Sequence, residues 1–89
     1  MDTKTRARLR GEAQALDATL QVGKSGITET LVKELKAQLE GRGLVKVRLL
    51  QSSTHDEGKD PVAERLAEES GAELVEVRGN TAVYWKRKR

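Results

Sequence analysis

The stretch LQVGKSGITETLVKELKAQLEGRGLVKVRLL, residues 20–50, decides the fold. It opens with Leu20 and Val22 on one side of a short strand over 18–22 and Thr19 and Gln21 on the other. Gly23-Lys24-Ser25-Gly26 turns the chain. Thr28 then stands where a helix N-cap belongs. Leu31, Leu35 and Leu39, with Val32 beside them, recur at helical spacing to about Glu40, and Gly41-Arg42-Gly43 stops the helix. From Leu44 to Leu50 the period changes to two, with Val45, Val47 and Leu49 alternating with Lys46 and Arg48. A strand, a helix and a second strand at these lengths predict parallel pairing with a right-handed crossover.

Outward from that unit, Leu9, Ala13 and Leu16 form one apolar stripe, which predicts a helix over 3–17. The polar segment 51–60 reads as a loop and as the most mobile part of the chain. Asp60-Pro61 reads as a cap followed by proline at the first helical position. Val62, Ala63, Leu66 and Ala67 face the core, and Gly71 ends that helix. Leu74 to Arg78 and Thr81 to Lys86, joined at Gly79-Asn80, read as a hairpin. The order is α-β-α-β-α-β-β, an α/β fold with a mixed four-stranded sheet. Alternation places Val45, Val47, Val75, Val77, Val83 and Trp85 toward the helices. It places Lys46, Arg48, Glu76, Arg78, Tyr84 and Lys86 on an outer face open to solvent, which the first helix covers at most in part.

With 89 residues the chain fits one domain, 1–89, ending in the basic tail 86–89. Seventeen Lys and Arg against fourteen Asp and Glu give a net charge of +3. The distribution says more than the sum. Lys4, Arg6, Arg8 and Arg10 crowd the start, Lys86-Arg87-Lys88-Arg89 the end, and acids gather from Glu64 to Glu76. Such basic clusters suit a polyanionic partner, nucleic acid ahead of membrane. The absence of cysteine excludes disulfides and thiolate metal sites. No apolar run approaches the ~20 residues of a membrane span, and the start lacks the apolar core of a signal peptide. The expectation is a cytoplasmic protein that carries no metal and no cofactor.

The loop Gly23-Lys24-Ser25-Gly26 offers close backbone approach at glycine, a cation and a hydroxyl ahead of a helix N-terminus, a combination that suits a phosphate. Spacing alone leaves open a strand-to-helix turn that needs glycine only for its geometry. A nucleotide-binding P-loop would need its earlier glycine at Ala18, in a stretch that reads as strand. Gly41-Arg42-Gly43 lacks the third glycine of the dinucleotide fingerprint, Lys46 standing in its place. A KH domain flanks its GxxG loop with helices, whereas here a strand precedes it. His55, Asp56 and Glu57 are adjacent in the polar loop, and a solvated loop explains them better than a metal site. Catalysis finds no nucleophile with a local base. Lys33 and Lys36, three apart on the second helix, are placed to extend a phosphate track from Lys24, although surface lysines on a helix are ordinary. Lys46, Arg48, Arg78 and Lys86 widen the positive surface, and Tyr84 is the candidate for stacking on a base. Solubility or a frayed tail explains the terminal basic run, Lys86 to Arg89, as readily as ligand contact.

Four stretches carry a resemblance to a known family. They are Leu20 to Thr28, Gly43-Leu44-Val45-Lys46-Val47, Leu66 to Val75, and Gly79 followed by a strand. In order and spacing the chain resembles the CRM domain, the chloroplast RNA splicing and ribosome maturation module, in its stand-alone prokaryotic YhbY-like form. The resemblance implies a fold like the C-terminal domain of translation initiation factor three. It also implies RNA binding through the loop Gly23 to Gly26 and nearby basic residues, and a link to precursors of the large ribosomal subunit. The expected partner is therefore structured, ribosomal RNA, bound by a monomer without catalysis. The alternative is a protein-interaction adaptor in a ribosomal or RNA-processing complex. Two departures stand out. Residues 51–60 are longer than the usual link, and Val83-Tyr84-Trp85-Lys86 replaces the more usual aliphatic, Tyr and Arg.

Overall fold

A computed structural model describes residues 1–50 and 58–87. Three helices and four strands follow in the order α1 (Thr3–Ala13), β1 (Leu20–Val22), α2 (Glu29–Arg42), β2 (Leu44–Leu49), α3 (Lys59–Ser70), β3 (Glu73–Arg78) and β4 (Thr81–Trp85). The strands form one sheet in the order β1-β2-β4-β3. β1 and β2 are parallel, with Leu20 opposite Val47 and Val22 opposite Leu49. β4 is antiparallel to both β2 and β3. The expected α/β order and mixed sheet are the ones observed. The reason lies in the crossover unit: α2 buries Leu31, Leu35 and Leu39 on one stripe and β2 buries Val45, Val47 and Leu49 on one face. The two apolar surfaces close on each other.

That closure forms the larger core, completed by Val62, Ala63 and Leu66 of α3 and by Ala82 and Tyr84 of β4. The opposite face is not open along its whole length. Leu9 and Ala13 of α1 pack there against Val75 and Val83, with Leu44 and Trp85 at the margin. The sheet is thus covered by α2 and α3 on one side and by α1 on part of the other.

Several elements depart from the sequence expectation. α1 stops at Ala13 rather than residue 17; its last turns tighten through bonds from the Ala15 and Leu16 amides to the Glu12 and Ala13 carbonyls at 3.3 and 3.0 Å. Lys46 caps that end, its ammonium donating to the Ala13 and Leu16 carbonyls, each at 3.4 Å. α2 runs through Gly41 and Arg42 and ends at Gly43, whose φ of 81° closes it. α3 begins at Lys59 with Gly58 as its cap, so Asp60 lies in the first turn rather than capping it. Pro61 is tolerated there because a first-turn amide has no helical partner to lose. Residues 51–57, which include His55, Asp56 and Glu57, and the last two residues of the basic tail lie outside the described residues.

The facing of β4 is also reversed. Tyr84 and Ala82 point to α2 and α3, and Val83 and Trp85 to α1. Val75 likewise faces α1, while Val77 packs against the larger core. A register shift between Leu74 and Glu76 allows this. Two residues there oppose one on β4, so strict alternation fails along β3.

Candidate nucleic-acid interface

β1 delivers the chain to the loop at the end of the sheet. The Gly26 amide donates to the Gly23 carbonyl at 2.9 Å, closing a four-residue turn with Lys24 and Ser25 exposed at its tip. The two glycines have different reasons to be there. Gly26 has φ +73°, a conformation that L side chains rarely adopt. Gly23 has no such φ, and a Cβ on it would meet only Leu50 Cδ1 at 4.0 Å. The turn therefore demands Gly26, whereas the fold has room for a side chain at Gly23. The bare backbone at Gly23 is a surface a ligand can approach.

The helix end behind the loop is less available than its dipole suggests. Thr28 Oγ1 accepts from the Leu31 amide at 3.1 Å, and Glu29 sits in the first turn of α2. Cap and carboxylate already satisfy much of that terminus. An anion at this end would depend on Lys24, Ser25 and the exposed loop rather than on α2.

Two bonds fix what lies beside the loop. The Leu50 amide donates to the Val22 carbonyl at 3.1 Å, and the Leu49 amide to the Asn80 carbonyl at 2.6 Å. The end of β2 is thus bracketed by the glycine loop on one side and the Gly79-Asn80 turn on the other. Gly79, with φ +57° as the first of two central residues, makes that turn possible. Pairing register then brings four side chains into one row. Gln21 lies opposite Arg48, Arg48 opposite Thr81, and Thr81 opposite Arg78. Directly paired residues share a sheet face, so Gln21-Arg48-Thr81-Arg78 crosses all four strands on the face that α1 covers only at its other end. Arg48 and Arg78 are exposed. At ~4.8 Å between strands, the row spans roughly 15 Å.

The structure thus gathers Lys24, Ser25, Arg48 and Arg78 and separates the other candidates. Lys33 is exposed on α2, in the opposite layer from Arg48 and Arg78. Lys86 is exposed at the far end of β4, about five residues, or roughly 17 Å, from the Thr81 row. Lys46 is half-buried and engaged with the end of α1, so its expected place on a free basic face is corrected. Tyr84 is corrected as well. It is fully buried, and its hydroxyl donates to the Ala63 carbonyl at 2.9 Å. Burial pushes its phenol pKa above the usual value. No base can stack on it.

Gln21, Thr81 and Asn80 were missed as members of this surface. The signal for Gln21 was present in its position on the polar side of a strand parallel to β2. Asn80 needed the tertiary contact with Leu49. Among the described residues no group of three or more His, Cys, Asp or Glu side chains is arranged to hold a metal ion. No helix among them is long and apolar enough to cross a membrane.

Comparison with known proteins adds a family. The sequence profile of the CRS1 / YhbY (CRM) domain matches residues 1–86. The chain belongs to this family. It is 40% identical over 83 residues to "Probable RNA-binding protein YqeI" of Bacillus subtilis, covering 93% of this chain and 84% of the relative. It is 36% identical over 83 residues to "Probable RNA-binding protein MJ0652" of Methanocaldococcus jannaschii, again over 93% of this chain. The match spans only 61% of that archaeal protein's length. The solution structure of the hypothetical protein SAV1595 from Staphylococcus aureus, "a putative RNA binding protein", superposes with a TM-score of 0.84 at 35% identity. That superposition covers 100% of this chain and 91% of the other.

Proposed function

We propose that this CRM domain is a non-catalytic RNA-binding protein that grips phosphates with the loop Gly23-Lys24-Ser25-Gly26 and the Arg48–Arg78 row beside it. One observation carries the reading. The register places two exposed arginines and two neutral hydrogen-bonding side chains in one band at the foot of an exposed lysine loop. Guanidinium groups match phosphate oxygens in a two-pronged geometry. Backbone contacts of this kind position a protein on RNA without reading its sequence. The names of the bacterial and archaeal relatives, both RNA-binding proteins, support the same class of partner.

The partner proposed is structured ribosomal RNA, in a precursor of the large subunit, met by a cytoplasmic monomer. The resemblance to stand-alone CRM proteins supports that finer reading. Crosslinking in cells followed by RNA sequencing tests it, and recovery of transfer or intron RNA instead of ribosomal RNA would overturn it. The site itself is tested by titrating a labelled structured RNA against Lys24→Ala, Arg48→Ala and Arg78→Ala over a range of salt. Each variant should flatten the log–log salt dependence by about 0.7–0.9 for every phosphate it no longer neutralises. Unchanged affinity and slope in all three would remove the surface from the mechanism.

A further inference from the structure

At the end of the α1-covered face farthest from the glycine loop, α1 and the paired ends of β2 and β4 leave a cleft of about 280 Å³. Leu9, Leu44 and Trp85 form its apolar wall, and Arg8, Arg42 and Lys86 its basic rim. Glu12, the acid lining it, is occupied by Arg8 at 4.0 Å. Arg42 and Lys86 have no ion-pair partner among the described residues. The nearby carboxylate of Glu73 is likewise taken, by the N-terminal ammonium at 3.4 Å. The cleft is therefore a positive site with an aromatic wall.

Trp85 is half-buried, and it is the only tryptophan of the chain. The guanidinium of Arg87 lies 5.7 Å from the indole centroid, in the adjoining hollow with Gly71 and Glu73. A planar cation from an exposed residue thus already reaches the ring. Fixed aromatic rings flanked by cations are what unpaired nucleic acid uses: bases stack on the ring and phosphates track the charges. A protein partner is less suited, because no large hydrophobic side chain is exposed among the described residues to seat a second core. The distance from the loop fits a single extended ligand. Leu44 to Leu49 of β2 separates the two places by roughly 17 Å, about the rise of five stacked nucleotides.

We propose that this cleft is a second RNA contact, in which an unpaired base stacks on Trp85 while Arg42 and Lys86 take the flanking phosphates. The proposal rests on the RNA-binding reading of the loop face, and adds to it a preference for duplexes that end in an unpaired strand.

The experiment uses the whole chain and two probes: a blunt RNA duplex, and the same duplex with a single-stranded 3′ tail. Binding is read by the anisotropy of a label on the RNA, and stacking by the emission of Trp85. Both probes should bind, with Trp85 emission quenched by the tailed one alone. Arg42→Glu, on the exposed end of α2, and Trp85→Leu should each weaken the tailed probe roughly 5-fold or more and leave the blunt one unchanged. Lys24→Ala should weaken both equally. Arg42→Glu keeps the test informative if Trp85→Leu fails to fold. Equal affinity for both probes with unchanged emission would overturn the second contact and leave the loop reading standing. Binding of neither probe would overturn both. Quenching by a ribosomal protein and by no RNA would assign the cleft to a protein partner, and overturn the proposal.

Discussion

Replacing Tyr84 with phenylalanine separates a buried tyrosine from a base-stacking one. Tyr84 is the only tyrosine, it is fully buried, and its hydroxyl is bonded to the Ala63 carbonyl. Tyr84→Phe removes that bond and keeps the ring. The Ala63 carbonyl belongs to α3 and keeps its helical environment, so the loss should be that of one net hydrogen bond, about 1 kcal/mol. For a domain of this size, that corresponds to a fall in Tm of roughly 4–8 °C. A second signature comes from pH. The folded-state pKa is raised by burial from the ordinary value of 10.0. Such a group contributes stability that is fully present below pH 10 and lost as pH rises toward the folded-state value. The unfolded phenol ionises first, so its contribution falls by up to about 1.4 kcal/mol per pH unit above pH 10. Tyr84→Phe should lack that component, so wild type and variant should converge in stability between pH 10 and 11. Urea melts at several pH values, with RNA affinity measured at neutral pH, provide the assay. An unchanged Tm together with a several-fold loss of RNA affinity would refute the burial and restore Tyr84 to the surface.

Two further substitutions separate turn geometry from ligand approach. Gly26→Ala should destabilise the fold by about 1 kcal/mol, because φ +73° strains a side-chain-bearing residue. Gly23→Ala should leave the melting curve nearly unchanged and weaken RNA binding; the opposite pattern would assign the ligand-facing role to Gly26. Lys46→Met keeps the aliphatic stem and removes the charge at the end of α1, and should cost about 0.3–1 kcal/mol by urea melts with no change in the salt dependence of RNA binding. A smaller salt slope at unchanged stability would instead show Lys46 to be a phosphate contact.

The elements that proved legible are those whose pattern has a single solution. Leu31, Leu35 and Leu39 admit only a one-sided helix, and Val45, Val47 and Leu49 only a strand with one deep face. β4 was misread because Ala82-Val83-Tyr84-Trp85 is apolar at four consecutive positions. Such a run marks a strand covered on both faces, and alternation cannot say which side holds the larger core. The bulge in β3 had no local signature at all, since Val75 and Glu76 are ordinary strand residues whose displacement is set by their partner. Asp60-Pro61 looked like a cap and a first helical residue, but the helix begins two residues earlier, at Lys59 behind Gly58. For the candidate site, the loop was visible as a string of residue types. Lys46 was misplaced because the sequence says that a strand lysine points outward, not that a helix end waits above it. The row from Gln21 to Arg78 required pairing register, which three of its four members reveal only once β4 is set between β2 and β3.

The displaced register in β3 has a consequence for how the protein behaves in a crowded solution. β3 ends the sheet, and a straight outer strand is a template on which another chain can add itself. Here the irregularity bends that border, and the Arg6 guanidinium donates to the Val75 carbonyl at 3.0 Å, occupying one of the acceptors a newcomer would need. Glu73, Glu76 and Arg78 add charge along the same margin. The helix that roofs half the sheet thus also guards its border, so the edge beside the exposed Arg48–Arg78 row offers an added strand an incomplete template.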